Sequence, residues 1–471
     1  MKKILSLILV LIMVLALCAC AGSGEEGGKP DHGLQVGFGR VNITPDYEVA
    51  LSGGAASRTS TGYQDYLYLT CVAIRENGET FIIGTMDFIC AEDLFVDPAK
   101  AVMSEETGVP AENILLNATH THASVAIRTD GSKNVEKYRQ DFFEWSRQAA
   151  KAAVEDLSPA ELWYGSVEAT GMAWVRHYVM ADGTFAGPNF GSFNSGIVSH
   201  TTEADVELQL IKFVRPAEDK KDVVLMNYPA HATLMQKSTS LSADFPGPTR
   251  DYIEANTDSL VAYFIAAAGD QVPNSRVATE VFSNDYQVYG AELGRIAVAC
   301  MNNLTKQETT GIRHGERTFT AKYIKEGVDR LDDAKAVQGI WNVVGRGTTQ
   351  GANAAKEYGF SSVYEVSAVL NRAAAPETNS MDIRVLAIGD VSFIFAPYEM
   401  FGSEGMYIKE NSPYPMTFVI TCAEGAEGYL PSMKGFEINS YEAQVTKFER
   451  GSAEKLADEF VAMLTEMKTA Q

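Results

Sequence analysis

From Leu34 onward, short apolar runs rich in β-branched residues alternate with segments of helical spacing, and no Ser/Gly/Pro-rich stretch or block of charge divides the chain. A sequence patterned this way folds around one shared core of mixed layers. The pattern predicts strands at 67–74, 80–86, 113–116, 161–168, 206–214, 223–228 and 259–266, and a hairpin of 383–388 with 391–396 that turns at Gly389-Asp390. Helical spacing covers 134–156, 245–255, 286–303 and 451–468, with a further helical stretch around 330–373. No internal repeat is visible. The expected fold class is α/β with mixed α+β layers, as a single large domain over residues 34–471.

Composition narrows the function classes. The chain has 471 residues, 46% of them hydrophobic, with 39 Lys+Arg against 61 Asp+Glu and a net charge of −22. Disorder needs lower hydrophobicity, and so acidic a surface repels phosphate backbones, so nucleic acid is excluded as a partner. The first residues carry a separate message. Lys2 and Lys3 precede an apolar run, residues 4–17, that is too short for a membrane span and reads as a signal peptide. Leu17-Cys18-Ala19-Cys20 then resembles the lipobox of bacterial lipoproteins, and Cys20 is the expected lipidation site because the small Ala19 precedes it. The expectation is a lipoprotein signal peptide at 1–19, a polar tether at 20–33, and a protein anchored by lipid to the extracytoplasmic face of the cell membrane. An ordinary cleaved signal or an uncleaved anchor is the alternative. Cys71, Cys90, Cys300 and Cys422 lie in apolar settings with no C-x-x-C, and read as buried hydrophobes, with one or two disulfides left open.

Seven histidines are few enough to weigh singly. His120 and His122, in Thr119-His120-Thr121-His122, follow an apolar strand, and in an extended chain side chains at i and i+2 leave on one face. They can converge on an ion or substrate, or form a hydrogen-bonded structural pair. His231 follows the strand 223–228 after Pro229, where strand ends project into clefts. Gly269-Asp270 follows another buried strand, Pro397-Tyr398-Glu399 follows the hairpin, and Gly428-Tyr429 and Tyr441-Glu442 add phenols in a loop-like stretch. His177 and His200 are reserve candidates for the site rim, more in keeping with surface or hydrogen-bonded roles. There is no H-E-x-x-H and no G-x-S-x-G.

Taken in order, these motifs resemble the neutral/alkaline, non-lysosomal ceramidase family, as does the opening Val36-Gly37-Phe38-Gly39-Arg40-Val41-Asn42-Ile43-Thr44-Pro45. The resemblance runs from about Leu34 to the last helix and implies a zinc-dependent amidase acting on an N-acylated, lipid-like substrate. Carried over residue by residue, it implies His120, His231, Glu399 and Tyr429 as zinc ligands. It implies His122 for proton handling, Tyr441 for oxyanion support and Arg176 beside the reacting carbonyl. Asp244 and Asp270 are candidates to fix a ligand histidine's tautomer, or simply to cap nearby turns. Two departures stand out. Val272 occupies the position of a family serine, which favours attack by metal-activated water, and no C-terminal β-sandwich domain is expected. The alternatives are a hydrolase of another amide or ester, such as an N-acyl amino acid or a cell-wall fragment, and a lipid-anchored binding protein without catalysis.

Overall fold

The apolar runs pair into three sheets that repeat one topology, seen in a computed structural model that describes residues 33–53, 58–127, 133–277, 283–308 and 311–470. The expected leader, Cys20 and all but the last residue of the tether lie outside the described residues. In the first unit, β1 (Gln35–Asn42), β2 (Tyr68–Glu76) and β3 (Glu79–Met86) are antiparallel neighbours. Helix α1 (Asp93–Thr107) then crosses to β4 (Ile114–Ala118), which lies parallel to β3, and α2 (Lys133–Glu155) returns over the sheet. The second unit does the same with β5 (Glu161–Glu168), β6 (Glu207–Val214), β7 (Asp222–Tyr228), α3 (Pro246–Asn256), β8 (Ser259–Ile265) and α4 (Tyr286–Met301).

The third unit begins with β9 (Ile312–Lys322) and inserts three helices, α5 (Leu331–Val344), α6 (Thr349–Glu357) and α7 (Val363–Ala374), before β10 (Thr378–Ile388). It continues through β11 (Val391–Phe395), α8 (Gly402–Asn411) and a parallel β12 (Met416–Ile420). The short helices α9 (Met433–Glu437) and α10 (Tyr441–Val445) precede α11 (Ser452–Thr469), which packs on α8 and β9. Strand order is thus 4-3-2-1 in each unit. Among the described residues no helix is long and apolar enough to cross a membrane.

Side-chain alternation explains why three sheets form one body. Val72, Phe81, Val223, Leu225, Leu386, Phe393 and Phe418, drawn from all three sheets, share one buried core. Their strand neighbours Cys71, Val224 and Ile394 face the opposite way, under each unit's own helices. Where the third and fourth strands end, polar side chains lock the sheets together. The Asn117 amide donates to Thr421 O (2.6 Å), and the Asn227 amide to Phe264 O (3.2 Å) and Val419 O (3.3 Å). That end of the molecule carries the strand exits of all three units, and the site lies there.

The structure adds elements that the pattern does not announce. In β9 only Phe319 and Ala321 are buried among eleven residues, too little apolar signal for a strand. The threefold repeat is invisible in sequence because the connections between first and second strands differ: one short two-stranded ribbon in the first unit, several small strands in the second, the helices α5–α7 in the third. Among the described residues, Cys71, Cys300 and Cys422 are buried free thiols and Cys90 is partly buried.

Candidate metal centre

At the exit of β4 the chain kinks rather than continuing as a strand. His120 has φ +65°, a left-handed conformation rare for a side-chain-bearing residue, held by backbone bonds from Thr119 N to Met86 O (2.8 Å) and from His122 N to Ala232 O (3.0 Å). The two rings therefore converge through this kink and not through strand periodicity, and lie edge-on with centroids 4.9 Å apart. His231 comes from the exit of β7, fixed by its N–H to Gln271 O (3.0 Å), and its ring centroid lies 4.4 Å from that of His120. One ligand atom from each of His120, His122 and His231 falls within 4.8 Å of the others. His120 and His231 are buried, and His122 is half-buried.

Each ring is oriented by a main-chain carbonyl. His120 Nδ1 meets Ile89 O (2.5 Å), His122 Nδ1 meets Gly53 O (2.9 Å) and His231 Nδ1 meets Ala268 O (2.5 Å). A carbonyl can only accept, so each Nδ1 carries a proton and each Nε2 is turned inward, free to give a lone pair wherever the ring is neutral. Gly53 (φ +78°) sits so close that a Cβ there would lie 2.5 Å from His122 Cβ. Burial holds His122 well below its ordinary value and His231 down to about 4, so both are neutral, as ligation requires. At His120 burial is outweighed by Cys422 and Glu399, which raise it, so that a bound cation would displace its Nε2 proton.

Glu399 arrives from the third unit on a two-residue strand, Glu399–Met400, paired in parallel with Tyr429–Leu430 so that Glu399 and Tyr429 are register partners. Gly269 permits this approach: its N–H donates to Met400 O (2.7 Å), and a Cβ would stand 2.5 Å from Glu399 O. Glu399 Oε2 lies 3.3 Å from His120 Nε2 and 3.4 Å from His231 Nε2. Burial alone would raise this carboxyl, yet His120 and His231 hold it well below the usual range. Glu399 Oε2 and His231 Nε2 are both buried and make no hydrogen bond. An unsatisfied His231 nitrogen and an unsatisfied Glu399 oxygen turned to one point, with His120 Nε2 beside them, fit a divalent cation of the zinc type.

A second buried cluster adjoins it. Arg176 donates through Nε to Glu442 Oε1 (2.8 Å) and through Nη2 to Gly269 O (2.9 Å) and the Tyr429 hydroxyl (3.2 Å). Burial opposes charge on Glu442, but His177 and then Arg176 prevail and hold it well below its usual range. The Tyr429 ring stacks on His231 (6.4 Å, 17°), and Tyr441 meets Tyr429 edge-on (5.8 Å). Burial pushes Tyr441 up to about 12. Every residue implied as a ligand or catalytic group is thus in one contiguous cluster, with Tyr441 one ring farther out.

The remaining candidates take supporting places. Of the surface or hydrogen-bonded roles expected for His177, the structure shows the second: it is 2% exposed and its Nε2 meets Glu442 Oε2 (2.8 Å), because the turn after Trp174–Val175 tucks inward against Gln271–Val272. His200 sits behind that ribbon, on Val175 O and Ser275 Oγ. Asp244 and Asp270 touch no ligand histidine. Asp244 accepts from Met235 N and Phe245 N (both 2.6 Å), and Asp270 accepts from Gly402 N (2.8 Å) at the start of α8, since carbonyls already occupy every Nδ1. The orienting carbonyls of Gly53, Ile89 and Ala268 left no trace in sequence, because any residue type supplies a carbonyl.

Fold and cluster together define a three-sheet α/β protein with a candidate metal centre. No protein-family model and no curated protein matches the chain. Among solved structures, a ceramidase complexed with C2 shares the fold at a TM-score of 0.67 and 16% identity, over 93% of this chain and 76% of that one. The neutral ceramidase from Pseudomonas aeruginosa matches at a TM-score of 0.67 and 17% identity, over 93% of this chain and 75% of that one. The chain therefore has the neutral ceramidase fold, and the mixed α/β single domain expected from the sequence is borne out.

Proposed function

We propose that the protein is a zinc-dependent hydrolase that cleaves the amide bond of an N-acylated, ceramide-like substrate. One observation carries this reading: three imidazoles, each with Nδ1 tied to a main-chain carbonyl, turn Nε2 toward one point beside an unsatisfied Glu399 oxygen. The ceramidase fold supports the choice of bond. His120, His231, Glu399 and Tyr429 would hold the metal, which supplies a Lewis acid and a water activated near neutral pH.

The chain's own residues do the rest. Arg176, gripped by Glu442, keeps its charge at the Tyr429 hydroxyl and stabilises negative charge developing on the acyl oxygen. Tyr441 retains its proton at neutral pH and donates to the same oxygen. His122 is the half-buried member of the trio, so its neutral Nε2 is the one open to substrate; it takes a proton from the attacking water and returns it to the leaving amine. Val272 offers no nucleophile, consistent with attack by water.

Release of fatty acid or amine from N-acyl sphingoid bases and N-acyl amino acids tests the reading. Turnover of N-acyl sphingoid bases that disappears in Glu399→Ala is the expected result. Turnover of N-acyl amino acids alone would shift the substrate class, and bound zinc with every substrate inert would favour a binding protein. In this reading an acylated Cys20 tethers the enzyme to the extracytoplasmic face of the membrane, beside lipid-like substrates. A Cys20→Ser protein that still incorporates labelled fatty acid would remove that part.

A further inference from the structure

A cavity of about 1140 Å³ lies between the inserted helices α6 and α7 and the short helices α9 and α10, just above the usual size range of ligand pockets. Its walls include Phe360, Val369, Phe436 and Ala443, and five cations line it against three carboxylates. In a chain of net charge −22 this is a local reversal of sign. Two of the cations are backed by aromatic rings, Arg330 over Phe360 (3.8 Å) and Arg450 over Phe436 (5.3 Å). Among the described residues no carboxylate pairs with Lys356 or Arg450, and both side chains are exposed at the cavity.

The floor of the cavity is the back of the candidate centre. On α10, Ala443 and Gln444 line the cavity, while Tyr441 and Glu442 face the other way, onto Tyr429 and Arg176. Arg372 of α7 donates to Gln444 O (3.2 Å) and Thr446 O (3.3 Å) at the C-terminal end of α10, and Tyr364 of α7 packs edge-on against Tyr441 (5.0 Å). We infer that this cavity is a second ligand site, which binds an anionic amphiphile, an alkyl chain with a carboxylate or phosphate head, and braces α10 and hence Tyr441 from behind. Apolar walls take the chain, and the unpaired Lys356 and Arg450 take the head. The inference does not depend on the reaction proposed above.

Equilibrium dialysis of the full chain against decanoate, decyl phosphate, decanol and inorganic phosphate tests it. One equivalent of decanoate or decyl phosphate is expected to bind at least tenfold more tightly than decanol or phosphate, and the tighter of the two identifies the head group. Combined Lys356→Glu and Arg450→Glu substitution, at exposed positions, should weaken binding at least tenfold and leave zinc content unchanged. Chelator-treated protein should bind as before, since the cavity is separate from the metal centre, and hydrogen exchange at 441–445 should slow on binding. No binding of either amphiphile, undiminished binding by the doubly substituted protein, loss of binding on chelation, or unchanged exchange at 441–445 would each overturn the inference.

Discussion

The first and third units each place a carboxylate past the end of their third strand, Asp87 after β3 and Glu399 after β11, and the two sites have opposite character. Asp87 is saturated. It meets Arg250 through two parallel bonds, Oδ1 to Nη1 (2.9 Å) and Oδ2 to Nη2 (2.7 Å), and accepts further from Tyr68 N and Thr119 Oγ1. Glu399 has a buried Oε2 that no hydrogen bond satisfies, with two imidazole Nε2 atoms turned toward it. The same place in a repeated fold can thus close on itself as structure or stay open as a cation site. What decides is whether the facing element supplies a guanidinium or imidazoles.

Substitutions should separate the two sites cleanly. His231→Ala is expected to lower amide hydrolysis roughly 10³-fold or more, because the several kcal/mol supplied by a Lewis acid are lost with the ligand. Its melting transition should hardly move. Asp87→Ala should reverse the pattern: removing one partner of a buried ion pair costs about 3–5 kcal/mol, read by denaturant unfolding, with zinc content retained in the folded fraction.

Glu404 of α8 sharpens the comparison as a buried carboxyl with no cation at all. Burial pushes it up to about 8 from 4.5, and Glu454 and Asp270 add to the effect. Its folded-state value is raised, so the folded protein holds a proton that the unfolded chain releases between about pH 4.5 and 8, and stability falls as pH rises through that window. Glu404→Gln should remove this loss, making the protein more stable than the parent by on the order of 3 kcal/mol at pH 9 and nearly equal to it at pH 4. The smallest effect is expected at the orienting carbonyls. Gly53→Ala forces the new Cβ against His122 and should lower amide hydrolysis by up to about 100-fold, the cost of misplacing a proton-handling ring, with zinc content unchanged.

Much of this was legible in the sequence, for identifiable reasons. Strands with clean apolar signal were read within a residue or two: the 161–168 reading coincides with β5, and 223–228 with β7 to within one residue. Helix α2 followed from its apolar stripe, including Tyr138, Phe142 and Ala149. The ligand candidates were legible because His, Glu and Tyr at strand exits are chemically conspicuous. The rest was hidden where backbone does the work. The kink at His120, the carbonyls that orient three rings, and the close approach at Gly269 depend on conformation more than on residue type. The pairing of Arg176 and His177 with Glu442 joins residues more than 260 positions apart, which no local pattern reports.

Zinc analysis of the purified chain and of His120→Ala bears on the central claim most directly. The account predicts one zinc per wild-type chain and none in the variant, with both proteins folded. A folded wild-type protein that takes up no zinc, or a variant that holds a full equivalent, would contradict it.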